Sequence, residues 1–359
     1  MNPVSPMVLQ TQISFTTVGG ELGVADPTRL ENPFQAPMWL DEIRFHIPYV
    51  PVDPNANPIV VQPLRWSQLY VKLYLGNTPL TNGSVPLSLV CKQLNDSAVP
   101  GSNTVNPNVP IIPREDTGHG AVPLTYNVYT WKLPKPIFIP ARDYLRPVIY
   151  YVPSPAADLP LTAVAVNIMY VVRPLPKGTP TPKTIQLPWV ASYVPPFMDF
   201  QATADFNATD QSTPSDIYNP FEQDLHVQRF VGRFLNYQVG RSATSTDNTY
   251  GDLRSVMQFA DELVDFKNNV PLSGCFVSAQ DSQNNILIRD PTPFYHLFNY
   301  LDRSWTVNCI LPPKGFYLFT IDRLWDYIAN TLEVEFTASV GIAMIGWRDV
   351  VFAQRDMGG

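Results

Sequence analysis

Four histidines, His46, His119, His226 and His296, are the side chains of this 359-residue chain best suited to metal ligation or to proton transfer near neutral pH. They stand apart from one another. No two form an HxH pair and none completes an HExxH helix, so each reads as a surface or internally satisfied histidine. Within "REDTGHG", Asp116-Thr117-Gly118 has the letters of the aspartic protease tripeptide, but that chemistry needs two carboxylates sharing one proton. A second Asp-Thr-Gly is absent, and the proline-rich surroundings make a surface turn of this one. The chain has no GxSxG elbow, no Walker loop and no GxGxxG, and the acidic residues of "FADELVDF" are spaced as the solvated face of a helix. The sequence therefore nominates no catalytic, cofactor-binding or metal-ligating residue, and the expectation is a protein that is not an enzyme and carries no cofactor.

The elements that would have to position a site point the same way. Of the 38 prolines, 31 lie in the first 200 residues. Proline removes a backbone donor and blocks helix interiors, so it belongs at turns, strand starts and sheet edges. Short apolar segments between prolines read as strands. In "SQLYVKLYLG", Leu69, Val71, Leu73 and Leu75 share one face opposite Tyr70, Lys72 and Tyr74. Val164, Val166, Ile168, Tyr170 and Val172 repeat the alternation, and Leu332 to Met344 keep one phase through "TLEVEFTASVGIAMIGW". Two stretches have helical spacing instead: Leu253, Val256, Met257, Ala260, Leu263 and Val264, then Phe294, Leu297, Phe298 and Leu301.

Only 15% of residues are charged, against about 25% in an average soluble protein, so the surface is short of charge in the way of surfaces that partners cover. The net charge is −7 with acidic and basic residues interspersed. No Lys/Arg run offers a phosphate-tracking stripe, and direct nucleic-acid binding is not expected. Cys91, Cys275 and Cys309 are odd in number and far apart, which suggests buried or free thiols in a reducing compartment. The first twenty residues carry no charge but lack the basic start and continuous apolar run of a signal peptide, and Pro3 and Pro6 break them.

An internal repeat organises the chain. Asn32-Pro33-Phe34 returns as Asn219-Pro220-Phe221, Arg44-Phe45 as Arg229-Phe230, and Thr130-Trp131 as Ser304-Trp305. Pro140, Arg142, Tyr144 and Ile149 return as Pro312, Lys314, Phe316 and Ile321, and Met169 with Arg173 as Met344 with Arg348. These landmarks keep the same order. After the second NPF, however, Val227, Phe230, Val231, Phe234 and Leu235 stand nearer helical than strand spacing. The resulting division is an N-terminal arm over 1–30, a first β unit over 31–175, a proline-rich linker over 176–200 and a second β unit over 201–359. The arm reads as extended or as an added strand.

Two tandem units, each opened after an NPF turn and closed by a long alternating strand, resemble the double jelly-roll major capsid proteins of membrane-containing icosahedral viruses, the lineage of tectiviruses, corticoviruses, related bacteriophages and the adenovirus hexon. The resemblance is architectural and covers nearly the whole chain. It implies an all-β fold of two tandem eight-stranded antiparallel jelly rolls, with a few short helices mainly in the second half. It also implies a homotrimer forming a pseudo-hexagonal capsomer in a virion shell assembled in the host cytoplasm. Partners would be neighbouring capsomers, penton and minor capsid proteins, and an internal lipid membrane. Two other functions fit the same composition: a virion spike or carbohydrate-binding protein, marked by aromatics on one sheet face, and a two-jelly-roll glycan-processing hydrolase, which needs paired carboxylates in a cleft.

Overall fold

The computed structural model describes residues 5–16, 23–24, 29–46, 49–51, 61–63, 69–93, 128–151, 163–193, 198–200, 213–241, 275–283, 285–298, 304–323 and 334–351. The expected helix from Leu253, the Asp116-Thr117-Gly118 turn and His119 lie outside these residues.

Among the described residues, eight strands frame the first unit, besides shorter ones such as Gly23–Val24 and Lys92–Gln93: β1 (Met7–Thr16), β2 (Leu30–Glu31), β3 (Met38–His46), β4 (Leu69–Leu75), β5 (Val85–Pro86), β6 (Val128–Ile139), β7 (Tyr144–Tyr151) and β8 (Ala163–Pro174). Eight more make the second: β9 (Thr184–Tyr193), β10 (Thr213–Tyr218), β11 (Leu225–Arg241), β12 (Cys275–Asp281), β13 (Ile286–Pro293), β14 (Ser304–Leu311), β15 (Phe316–Arg323) and β16 (Val334–Val351). One sheet of the first unit runs β1-β8-β3-β6 and the other β2-β7-β4-β5. The second unit repeats both, as β9-β16-β11-β14 and β10-β15-β12-β13. Every one of these pairings is antiparallel. Two sheets interleaved in this order are a jelly roll, and the chain is a double one.

Alternation does the local work. Leu69, Val71, Leu73 and Leu75 of β4 are buried while Tyr70, Lys72 and Tyr74 are half-buried, and Val166, Ile168, Tyr170 and Val172 of β8 are buried. Each such side chain contributes ~1.5–3 kcal/mol relative to exposure. The apparent helical spacing after the second NPF has a physical cause in a β-bulge. In β11 the pairing to β16 slips between Val227 and Arg229, and again between Phe234 and Asn236. One extra residue returns the chain to the same face after three residues instead of two, so Val227 and Phe230 both point into the core. β3 has the same bulge, where Leu40 pairs with Val172 but Glu42 with Val171.

Strand register corrects two of the repeat landmarks. Met38 pairs with Ile139 and Leu225 with Leu311, and beyond the shared bulge Ile43 pairs with Trp131 and Phe230 with Trp305. Glu42 therefore matches Arg229, and Arg44 matches Val231. Phe45 matches Gly232, not Phe230. The ring displaced from that position is replaced from elsewhere in the chain: a Cβ on Gly232 would come within 2.4 Å of the Phe298 ring. Phe298 thus fills, from beyond the short helix, the volume that Phe45 fills in the first unit. Likewise Arg173 matches Trp347 instead of Arg348, because Trp39 pairs with Arg173 and His226 with Trp347. A one-residue slip exchanges the faces of a strand, which explains why Arg173 is exposed and Arg348 buried.

Helix is scarce among the described residues. α1 (Leu87–Val90) follows β5, and of the helix expected from Phe294 to Leu301 the described part forms the single turn α2 (Phe294–Leu297), with Leu301 outside the described residues. The expected arm over 1–30 contains β1, which pairs along its whole length with β8 of its own chain and buries Ile13. The expected linker over 176–200 contains β9, the opening strand of the second jelly roll. Proline-rich composition hid β9 from the sequence reading, and both strands lie where a jelly roll needs an edge strand.

Candidate assembly surface

The residues with chemical potential do not converge. His46 lies beside Asn167, with His46 Nδ1 3.5 Å from the amide nitrogen. His226 stacks on Trp347 at 5.4 Å and stands 3.9 Å from Asp349, on the face opposite the core of its sheet. His296 falls on α2. Among the described residues no three His, Cys, Asp or Glu side chains form a metal-binding group. Cys91 is buried and Cys309 half-buried, neither in a disulfide, and the Cys309 sulfur lies 2.8 Å from the Tyr317 hydroxyl. Among the described residues no helix is long and apolar enough to cross a membrane.

What the sequence builds with care is the seam between the two jelly rolls. Val190, Val231, Ala343 and Ile345, on the face of β9, β11 and β16 turned away from the second unit's own core, belong to the first unit's hydrophobic core. On the other face Trp189, Ala191, Phe230, Ile342 and Met344 line the second core. This sheet is therefore buried on both sides, and the continuous apolar run "GIAMIG" from Gly341 to Gly346 is the sequence signal for it. Leu87, Leu89 and Val90 of α1 are buried in the same cluster.

At the rim, the segment after β4 leaves the first unit to add Thr81–Asn82 as a parallel strand on the open edge of β9. Val190 donates its N–H to the Leu80 carbonyl at 3.1 Å. The Thr81 hydroxyl holds the turn, donating to the Gly83 carbonyl at 2.9 Å and accepting from the Leu73 N–H at 3.3 Å. β6 also reaches across. Between Lys132 and Ile137 it carries a four-residue bulge where β14 has only two residues, Val307 and Asn308. Its Lys135 ammonium lies 4.4 Å from the centre of the Trp347 ring.

The equivalent face of the first unit has different chemistry. Where the second unit has Val231 and Trp347, the first has Arg44 and Arg173. Arg44 pairs with Glu42, and Arg173 makes two bonds to Asp41 at 2.6 and 2.7 Å, which raise its already high pKa. The charged portion lies over β3, while Val8, Met169 and Val171 form an apolar strip along β1 and β8. In the second unit Arg348 is buried with its guanidinium 3.8 Å over the Phe221 ring, and burial lowers its pKa.

No family model and no curated protein matches the sequence. Among solved structures the chain is similar to VP54 of PBCV-1, fitted into a cryo-EM reconstruction of the virophage Sputnik, at 8% identity, covering 97% of this chain and 95% of that one with a TM-score of 0.43. It is similar to the Faustovirus major capsid protein at 8% identity, covering 98% and 91%, TM-score 0.33. It is similar to the mavirus major capsid protein at 9% identity, covering 98% and 87%, TM-score 0.31. With TM-scores below 0.5, these likenesses add nothing to the strand order, which defines the double jelly roll by itself.

Proposed function

We propose that this chain is a major capsid protein, a structural subunit whose trimer presents six jelly rolls as a pseudo-hexagonal block of an icosahedral virion shell. The observation that carries the reading is the seam: two equivalent units joined by a heterologous contact, in which the post-β4 segment of one unit covers the first strand of the next. A heterologous contact repeated with closure makes a ring. Three chains of two units supply six such positions, and a block with six near-equivalent sides tiles a shell through many modest contacts. The functional boundary between the units lies between Pro174 and Thr184, with β1 opening the first and β9 the second. Neighbouring capsomers are the partners on the outer sides, with penton and minor capsid proteins at special positions and an internal membrane beneath. Negative-stain microscopy and light scattering on purified full-length protein test this: three-chain particles of hexagonal outline are expected, and a stable single chain overturns the reading.

A further inference from the structure

The outer face of the sheet β2-β7-β4-β5 in the first unit carries three cations, each over an aromatic ring. Arg29 lies 4.7 Å from the centre of the Tyr144 ring, Lys72 4.9 Å from that of Tyr150, and Arg146 4.4 Å from that of Tyr74. Alternation gathers them: Val71, Leu73, Leu145 and Ile149 turn into the core, so Lys72, Tyr74, Tyr144, Arg146 and Tyr150 turn outward. Register sets their neighbours. Arg146 pairs with Tyr74 and lies diagonally from Lys72, which pairs with Val148. On the other flank Leu30 pairs with Leu145 and Glu31 with Tyr144, which brings Arg29 to the level of Arg146. Like charges opposite one another on a sheet face destabilise it. Among the described residues no ion pair joins Arg29, Lys72 or Arg146 to a carboxylate. Asp143 accepts the Tyr144 N–H at 2.8 Å, and Glu31 is exposed across from Tyr144. The Arg146 Nε–H is buried without a hydrogen-bond partner.

The second unit demonstrates that a jelly roll does not need these residues. The Gly76 N–H donates to the Tyr144 carbonyl at 2.8 Å as the Ser282 N–H donates to that of Phe316 at 2.9 Å, and Leu75 pairs with Leu145 as Asp281 pairs with Tyr317. Leu30 pairs with Leu145 as Ile217 pairs with Tyr317. The counterparts of Arg29, Lys72, Tyr74 and Arg146 are therefore Asp216, Ser278, Gln280 and Leu318, none of them a cation or an aromatic. The inward positions keep their duty: Val71 and Val277, like Leu145 and Tyr317, are buried. What folding requires recurs in both units, and the cations on rings belong to one.

We propose that this face binds an acidic glycan, a sulfated polysaccharide with a charge on every sugar. Charge complementarity names the occupant: three uncompensated cations on adjoining strands match a chain of closely spaced oxyanions. A guanidinium or ammonium already stacked on a ring is held in place, so little freedom is lost when an oxyanion arrives. The arginine forks and the lysine ammonium each take one such group. The Tyr74 and Tyr150 hydroxyls, which both donate and accept, suit the sugar hydroxyls between the charges. A nucleic-acid strand fits less well, because bases bind a sheet by stacking on open rings and these rings already carry cations of their own chain. With a net charge of −7 the chain as a whole repels polyanions, so the attraction is local to this face.

The test titrates the full-length protein with a fluorescently labelled heparin oligosaccharide at low salt. Wild type is expected to bind and to release the probe as salt is raised; a wild type that does not bind overturns the proposal. Lys72→Gln with Arg146→Gln should weaken binding at least about tenfold through the loss of two charged hydrogen bonds. Arg289→Gln with Lys314→Gln removes the same charge from exposed places on the second unit and should change binding less than about twofold. Equal losses from the two pairs mean a general attraction and overturn the site. Heparin stripped of its sulfates should not compete, and oligo(dT) should compete at least about tenfold less well than heparin. Competition by either that equals heparin overturns the acidic-glycan assignment. Where the Lys72 and Arg146 variant does not fold, wild type reads the same face: bound heparin should shield Lys72 from acetylation, followed by mass spectrometry, while Lys314 reacts as in the free protein. Equal labelling of Lys72 with and without heparin overturns the proposal.

Discussion

Asn32 and Asn219 make the same hydrogen bonds at the same point of the two jelly rolls. The Asn32 side-chain amide donates to the carbonyls of Ala36, Ile139 and Pro140 at 3.0, 3.3 and 2.9 Å, and its carbonyl accepts the Phe34 N–H at 2.9 Å. Asn219 donates to Gln223, Leu311 and Pro312 at 2.8, 3.1 and 3.1 Å and accepts from Phe221 at 3.0 Å. One buried side chain thereby ties the strand entering a sheet to the strand leaving its neighbour, and an amide suits the place because its two N–H donors and separate carbonyl acceptor serve these partners together. Asn219→Ala should cost about 2–4 kcal/mol in denaturant unfolding, since buried carbonyls and an N–H lose their partner. Asn219→Asp should be at least as damaging at neutral pH, where carboxylate faces carbonyls, and should recover part of the loss on acidification.

The turn that these asparagines hold has a left-handed residue in both copies. Arg142 has φ 64° and Lys314 φ 59°, each third in a turn closed by the N–H of Asp143 on Pro140 and of Gly315 on Pro312. That position favours glycine. Lys314→Gly should stabilise by about 0.5–1 kcal/mol, the relief of strain exceeding the added freedom of the unfolded chain. Lys314→Ala should give no gain, because it retains the strain and loses only an exposed ion pair to Glu222.

The buried Tyr170 and the half-buried Tyr70 set an alkaline limit. Burial pushes Tyr70 from 10.0 up to about 12, and burial also raises Tyr170, against a smaller opposing effect of its bond to Thr11. Folding favours the protonated phenol, so this stability is fully present below pH 10 and is lost as pH rises through 12. A phenolate absorbance titration should show these groups ionising late, together with the loss of native circular dichroism. Early ionisation in a folded chain would contradict their burial.

Period-two alternation made β4 and β8 legible in the sequence, because one face of each is buried and the other is not. The repeat was legible where a residue has a fixed backbone duty, as at Asn32 and Asn219, Arg142 and Lys314, or Trp131 and Trp305. It misled at Arg44 and Arg173, where the letters recur one or two residues out of register and the pleat reverses their faces. Bulges hid β11, since an unpaired residue imitates helical spacing. The candidate surface was not legible at all: Val8 and Val190 are both valines on alternating strands, and only strand order reveals that one is covered and the other exposed.

That contrast gives the sharpest test of the seam. A carboxylate at Val190 would sit at the seam between two apolar cores. Val190→Asp should cost on the order of 4 kcal/mol, and because both cores share β9 it should lower the stability of the whole chain in a single calorimetric transition. The same change at Val8 places the charge in water, so the isolated chain should unfold within about 0.5 kcal/mol of wild type. Equal penalties at the two positions would mean that β1 is already covered within its own chain, whereas a large difference confined to Val190 is what an exposed edge at Val8 requires.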